Sequence, residues 1–174
     1  MSRGFFGIGV EGISKPMNVG NLLRSAHAFG ASFFFTVAPA VDVYGMQASD
    51  TSAAFGHIPF YNFESPAELL LPRGSSLVAV ELLPDAVELP SFRHPQCAVY
   101  VLGPEGGNVS PEMLSRCEHA IKIPMKFCIN VGVAGALVMY DRLVSTGRFI
   151  DRPVKAGGPR DFTPEGMTAK NIVG

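Results

Sequence analysis

The chain has 174 residues, 47% of them hydrophobic and 17% charged, with 14 Lys and Arg against 15 Asp and Glu for a net charge of −1. That length fits one domain with a sizeable core, and the composition excludes a disordered polymer. The near-neutral balance excludes nucleic-acid binding through a global basic field, so such a partner would have to be met by a local patch. The three cysteines, Cys97, Cys117 and Cys128, form no CxxC pair and are odd in number, which argues against a disulfide framework or a zinc site and for a reducing, cytoplasmic setting. The first apolar run, residues 5–10, is too short for a signal peptide, and no stretch reaches the roughly 18 apolar residues of a membrane span.

In chain order, β-rich apolar runs at residues 5–10, 32–37, 77–83, 98–102 and 120–123 are bounded by Gly, Pro or polar clusters and read as buried strands. After the first, Leu22, Leu23, Ala26 and Phe29 share one face of a helix that Asn18 is placed to cap and Gly30 to end. Asn18, Asn21 and Arg24 or Ser25 form an opposite polar stripe, expected to face away from the core. Ser110-Pro111-Glu112 opens a second helix, with Ser as N-cap and Pro at the first position. A last helix is expected from about residue 130 to residue 146. Strands alternating with helices predict an α/β domain, a mostly parallel sheet with helices on both faces, which binds ligands at the carboxyl ends of its strands. The domain is expected over residues 1–155, with residues 156–174, opening AGGPRDFTPEG, as a loose tail. Beyond residue 140, Arg142, Arg148, Arg152, Lys155, Arg160 and Lys170 outnumber Asp141, Asp151, Asp161 and Glu165, as in a solvated basic tail or a weak RNA patch.

Three segments carry candidate chemistry. In PMNVGNLLRSAHAFGA, residues 16–31, Arg24 reads either as a solvated surface side chain or as a fixed cation near an RNA phosphate or hydroxyl. VYVLGPEGGNVSPEML, residues 99–114, runs from a strand through a Gly-rich turn into a capped helix, a context in which backbone N–H groups can meet a ligand closely. It lacks the Lys-Ser/Thr of a Walker A loop and is not a GxGxxG fingerprint, and Glu105 is an odd choice for a plain turn. In IKIPMKFCINVGVAGALVMYD, residues 121–141, a helix begins near Asn130 with Gly132, Ala134, Gly135 and Ala136 in its first turns. Each interior Gly costs about 1 kcal/mol relative to Ala, so something must approach that helix closely, either a packed neighbour or a ligand. His27, His57, His94 and His119 have no metal-ligand spacing and read as incidental, although His27 could touch RNA.

The order, spacing and wording of NVGNLLRSA, LGPEGGNVS and IPMKFCINVGVAGALVMYD resemble the three signature motifs of the SpoU (TrmH-like) branch of the SPOUT class, which are RNA 2'-O-ribose methyltransferases. The strand and helix order from about residue 5 to residue 148 is similar too. The resemblance implies a deep C-terminal trefoil knot, S-adenosyl-L-methionine as cofactor with S-adenosylhomocysteine as product, and an RNA substrate. It also implies a homodimer, and no metal or membrane. With a first strand at about residue 5, the chain is similar to small members that modify tRNA, so tRNA is expected over rRNA. By position the resemblance makes Arg24 the principal catalytic residue, with Asn18, Glu105 and Asn130 shaping the site. The cofactor would meet Val80 and Glu81, then Leu102, Gly103, Glu105 and Gly106 of the second motif, then Ile123, Met125, Cys128, Val131 and Ala134 of the third.

A guanidinium stays protonated and is a poor base, which favours Arg24 as an anchor for the adjacent phosphate and for developing oxyanion charge; direct proton removal is the other role open to it. Cys128 and Gly132 stand where the third motif usually carries Ser, and a thiol is a weaker hydrogen-bonding group than a hydroxyl. These departures keep open a cofactor- or RNA-binding module without activity. Methylation of rRNA or of a base nitrogen also stays open, as does a nucleotide-binding module built on GPEGG, although that loop lacks a basic residue beside it.

Overall fold

The computed structural model describes residues 4–48 and 53–157. Its strands are β1 (Phe5–Glu11), β2 (Phe33–Val37), β3 (Phe60–Phe63), β4 (Ser76–Val80), β5 (Val87–Glu88), β6 (Cys97–Leu102) and β7 (His119–Lys122). They form a 7-stranded sheet ordered β3-β2-β1-β6-β4-β7-β5, with every pairing parallel. Helices α1 (Pro16–Ala28), α2 (Val43–Ala48) and α4 (Val131–Thr146) cover one face. There Phe6, Ile8, Tyr100 and Ile121 of the sheet meet Val19, Leu22, Val138 and Met139. Helix α3 (Pro111–Arg116) covers the other face, where its Met113 and the preceding Val109 pack against Phe35, Leu77, Val99 and Val101. Burial on both faces is why the strands read as continuous apolar runs and not as alternating ones.

The expected α/β sandwich is therefore present, with local differences. The run 77–83 stops as a strand at Val80, and Leu82 is exposed. Strands β3 and β5 and helix α2 go beyond the sequence-based expectation; β3 has an exposed, partly polar edge sequence, FYNF, and β5 is two residues long. The α1 apolar face forms as anticipated, but the N-cap is Lys15, with Pro16 opening the helix and no side-chain cap. Asn18 is neither a cap nor part of a solvent stripe: it lies in the first turn and is only 7% exposed. At the other end Gly30 takes φ +74, and the bonds from Gly30 N to His27 O and from Ala31 N to Ala26 O close a Schellman motif, as its sequence position predicts.

Ser110 caps α3 by accepting from Met113 N at 3.1 Å, and Asn130 caps α4 by accepting from Gly132 N at 2.8 Å. The group that approaches α4 closely is α1. A Cβ added at Gly135 would lie 2.2 Å from Leu22 Cδ1, and one at Gly132 would lie 3.3 Å from Asn21 Cβ. Packed α1, rather than a ligand, thus accounts for both glycines. Arg142, expected in a solvated basic tail, is buried. Residues 151–157 are exposed and without regular structure, and the rest of the expected tail lies outside the described residues. Among the described residues no helix is long and apolar enough to cross a membrane.

Candidate active site

Strands β4, β6 and β7 end side by side, and the segments that leave them meet the first turn of α1 and the start of α4 around a cleft of about 570 Å³. Val80 and Glu81 enter it from β4, and Leu102, Gly103, Glu105 and Gly106 from β6. Ile123, Met125 and Cys128 enter after β7, and Val131 and Ala134 from α4. Asn18 and Asn130 complete this grouping, which joins residues more than a hundred positions apart. Arg24 stands apart: it is exposed on α1, does not line the cleft, and has no hydrogen-bond or ionic partner among the described residues. It lies about 9 Å along the helix axis from Asn18 at 1.5 Å per residue.

Sequence reasoning missed Lys15 and Lys122, which line the same cleft and bring to the Gly-rich loop the positive charge that its own sequence lacks. Lys122 Nζ donates to the carbonyls of Leu83 and Pro84 at 3.3 and 3.1 Å. Their distance in sequence from GPEGG gave no local signal.

A chain of hydrogen bonds ties the three segments together. Ser14 N and Oγ donate to Glu105 Oε2 at 3.3 and 3.1 Å, and Asn18 Nδ2 donates to Glu105 Oε1. Asn130 Nδ2 donates to Asn18 Oδ1 at 2.9 Å, while its own Oδ1 holds Gly132 N. Burial pushes the Glu105 carboxyl up, but the donors from Asn18 and Ser14 outweigh it and leave the group below the ordinary carboxylate value. At neutral pH Glu105 is thus an ionised acceptor with a fixed orientation.

Two further carboxylates brace the walls. Glu81 accepts from Val109 N at 2.7 Å and from Leu82 N at 2.8 Å, so it holds the loop after β6 against the end of β4. Any side chain at Gly103 would intrude there, its Cβ 2.9 Å from Val109 N and 3.0 Å from Glu81 Oε2. Glu11, buried at the end of β1, accepts from Ser110 N at 2.8 Å and fixes the start of α3. Sequence reasoning does not single it out, although a charge closing an apolar strand is a usable signal. The result is an apolar floor of Val80, Leu102, Ile123, Val131 and Ala134 under a polar rim of carboxylates, amides and loop backbone. Its volume lies in the range of small-molecule sites, at the strand ends where open α/β sheets bind ligands.

A second polar cluster lies at the other end of β6. His94, whose side chain is fully buried, bonds Tyr100 OH through Nδ1 at 2.5 Å and Asp141 Oδ2 through Nε2 at 2.9 Å. Arg142 donates to the carbonyls of Pro95 and Gln96 at 2.7 and 2.8 Å and to Tyr100 OH at 3.3 Å, with its guanidinium 5.4 Å from the Phe6 ring centroid. His94 is therefore not an incidental histidine but a structural one. Burial pulls it below its ordinary value, against the opposing pull of Asp141. Among the described residues there is no group of three or more His, Cys, Asp and Glu side chains that could hold a metal ion.

The model of the SpoU rRNA Methylase family matches residues 6–140. Over 149 residues the chain is 28% identical to an uncharacterized tRNA/rRNA methyltransferase of Archaeoglobus fulgidus, covering 80% of this chain and 65% of that one. The fold superposes on the SpoU methyltransferase AviRb of Streptomyces viridochromogenes in complex with AdoMet, with a TM-score of 0.75, 23% identity, and coverage of 85% of this chain and 61% of that one. It also superposes on a structure that gives insights into the 2-OH methylation of C/U34 on tRNA, with a TM-score of 0.71 and 22% identity, covering 83% of this chain and 97% of that one. Elsewhere the chain spans little more than half of a matching relative, 56% for one from Staphylococcus aureus.

Proposed function

The chain belongs to the SpoU rRNA methylase family, and from that premise we propose that it is an S-adenosylmethionine-dependent RNA 2'-O-ribose methyltransferase acting on tRNA. The observation that carries this reading is the Ser14–Glu105–Asn18–Asn130 hydrogen-bond chain, which joins three remote motifs at the rim of one cleft. The cleft fits the cofactor by its apolar floor, its Gly-rich wall and a rim carrying both carboxylates and ammonium groups, which suits a ligand with charges of both signs. Val80, Leu102, Ile123, Val131 and Ala134 would hold the apolar part, and the backbone from Gly103 to Gly106, with Met125 and Cys128, would border the rest. S-adenosylmethionine, when bound, supplies an electrophilic methyl group for in-line displacement by a ribose hydroxyl.

The protein's part is positioning, which contributes much of the rate of such a displacement. Glu105 is held by three donors and sits low on the pH scale, so it orients the Asn18 amide better than it would accept a proton. Asn18 and Asn130 present amide groups at the rim. Arg24, exposed and unpartnered among the described residues, is free to take the phosphate beside the reacting ribose and to stabilise developing oxyanion charge. Cys128 lines the cleft where the family motif has Ser, while packing on α1 accounts for Gly132.

Three further features belong to the same reading. Strand β7 lies between β4 and β5, which residues 81–86 join directly, so late chain inserts into an arc closed earlier. That arrangement supports the trefoil knot, a rare topology. On α4, Val133, Leu137, Tyr140 and Val144 form an exposed stripe at 51%, 40%, 52% and 38%, an apolar face that a second copy in a homodimer would cover. The likeness to a tRNA-modifying structure nearly all of whose length is matched supports tRNA over rRNA, and with it a cytoplasmic setting.

The test is transfer of labelled methyl from S-adenosylmethionine to bulk tRNA and to rRNA taken from a strain lacking this protein, with Arg24→Ala alongside. Alkali-resistant dinucleotides in the tRNA pool with the unaltered chain alone are expected. Label on a base would overturn the ribose assignment. Cofactor binding by calorimetry without transfer to either pool would replace the enzyme with an inactive binding module.

A further inference from the structure

The rings of His27 and His57 stack with centroids 5.1 Å apart and planes 9° from parallel. They come from separate elements, His27 from the last turn of α1 and His57 from the residue that closes a short 3-10 helix, Ala54–Gly56. Both side chains are exposed, and neither has a hydrogen-bond partner among the described residues. Neither imidazole bonds a helix end, and neither belongs to a buried core cluster. Ordering two exposed side chains costs rotamer freedom, and neither ring gains a hydrogen bond among the described residues, so the aligned rings leave an open aromatic face for a ligand.

Its position names the ligand. Arg24 and His27 are i, i+3 neighbours on α1, so the imidazole pair adjoins the cation that the reading above assigns to the phosphate beside the reacting ribose. At 1.5 Å per residue His27 lies about 4.5 Å along the helix axis from Arg24, within reach of an adjacent nucleotide. The net charge of −1 gives no overall pull on a polyanion, so binding must rest on discrete local contacts. An imidazole pair offers a π-face on which an unstacked base can lie, and such stacking tolerates any base.

We propose that the stacked His27–His57 pair, beside Arg24, is the subsite for a nucleotide flanking the reacting one, with its base stacked on the imidazoles. This rests on the RNA methyl-transfer reading above. The subsite sets how the RNA strand leaves the cleft, and the cofactor is not part of it.

The test measures binding of bulk tRNA and rRNA to the whole chain saturated with S-adenosylhomocysteine, at one fixed salt concentration, with thermal melting to check folding. His27→Ala, His57→Ala and the double variant are expected to bind RNA about tenfold more weakly, the order removed with one base stack. Their calorimetric affinity for S-adenosylhomocysteine should be unchanged. His57→Phe keeps an aromatic face and should bind near the level of the unaltered chain. Alanine variants that bind RNA normally, or a phenylalanine variant as weak as alanine, would overturn the subsite while leaving methyl transfer standing. If the unaltered chain binds neither RNA, the RNA reading fails and the subsite goes with it.

Discussion

Two polar networks flank strand β6, one at each end, and they are built from similar parts to opposite purpose. At the N-terminal end, His94, Tyr100 and Arg142 are buried, and the Arg142 guanidinium donates to backbone carbonyls and to the Tyr100 hydroxyl. At the C-terminal end, Ser14, Glu105, Asn18 and Asn130 form a chain whose last three members line a cleft, with Ser14 and Asn130 exposed, Glu105 half-buried and Asn18 buried. Buried networks with all members satisfied specify a fold; fixed groups facing open space are poised to meet a ligand. An open cleft beside the network, more than residue type, separates the site from the scaffold.

Removing one member from each end puts this contrast to its hardest test. Arg142→Ala removes the donor to the Pro95 carbonyl and one of the two partners of the Tyr100 hydroxyl, and should lower unfolding free energy by about 3–5 kcal/mol, as losing one partner of a buried charged network does. Chemical denaturation measures it, and a shift below about 1 kcal/mol would mean the cluster is not structural. Glu105→Gln should do the reverse, leaving the melting temperature nearly unchanged while methyl transfer falls about a hundredfold, because a Gln amide turned towards Asn18 and Ser14 misplaces the rim. A protein that melts early with Glu105→Gln would move this chain of bonds into the scaffold.

The boundary between the two ends is also the boundary of what the sequence makes legible. Strand positions, the Schellman end of α1, the Ser110 cap and the parallel α/β arrangement depend on neighbours within a few residues, so local pattern exposes them. The cleft members can be named because they carry a motif wording, yet their connection cannot, since Asn18 meets Asn130 across 112 positions. Asn18 reads as a cap because an Asn near a helix start is locally best used that way, and in the fold a tertiary partner, Glu105, wins. His94 and Arg142 read as incidental or solvated because Asp141 and Gln96, which they bond, lie 47 and 46 residues away and no periodicity marks them. Strand β5 exists only because β7 pairs with it, which two residues of sequence cannot announce.

Gly103→Ala tests how rigidly the open end is built. The added methyl would meet Val109 N and Glu81 Oε2, backbone and a bonded carboxylate that cannot easily yield. Overpacking of this kind typically costs about 1–3 kcal/mol. Because the strain falls on the loop that borders the cleft, calorimetric affinity for S-adenosylhomocysteine should fall by a similar free energy. Unchanged affinity with lowered stability would place the loop's function elsewhere than in the cofactor.

The smallest expected effect separates the two ends by pH. His94 is lowered from 6.5 by burial, so in the folded state it stays neutral where the unfolded chain takes up a proton. The stability that its neutral form provides is complete above the unfolded value and is lost as pH falls below 6.5, at no more than about 1.4 kcal/mol per pH unit. Glu105 is also lowered, but from 4.5, so its contribution is present above that value and is lost only as pH falls through its folded value. Denaturation midpoints followed from pH 8 to pH 4 should therefore begin to decline near 6.5 in the unaltered chain. The neutral ring donates through Nε2 to Asp141 and accepts at Nδ1 from Tyr100 OH, an assignment made from the bonding partners. His94→Gln can repeat the donor to Asp141 but cannot titrate, so it should lower stability at every pH and flatten the decline below 6.5. A decline near 6.5 that survives this substitution would mean that the neutral His94 ring is not what stabilises this end.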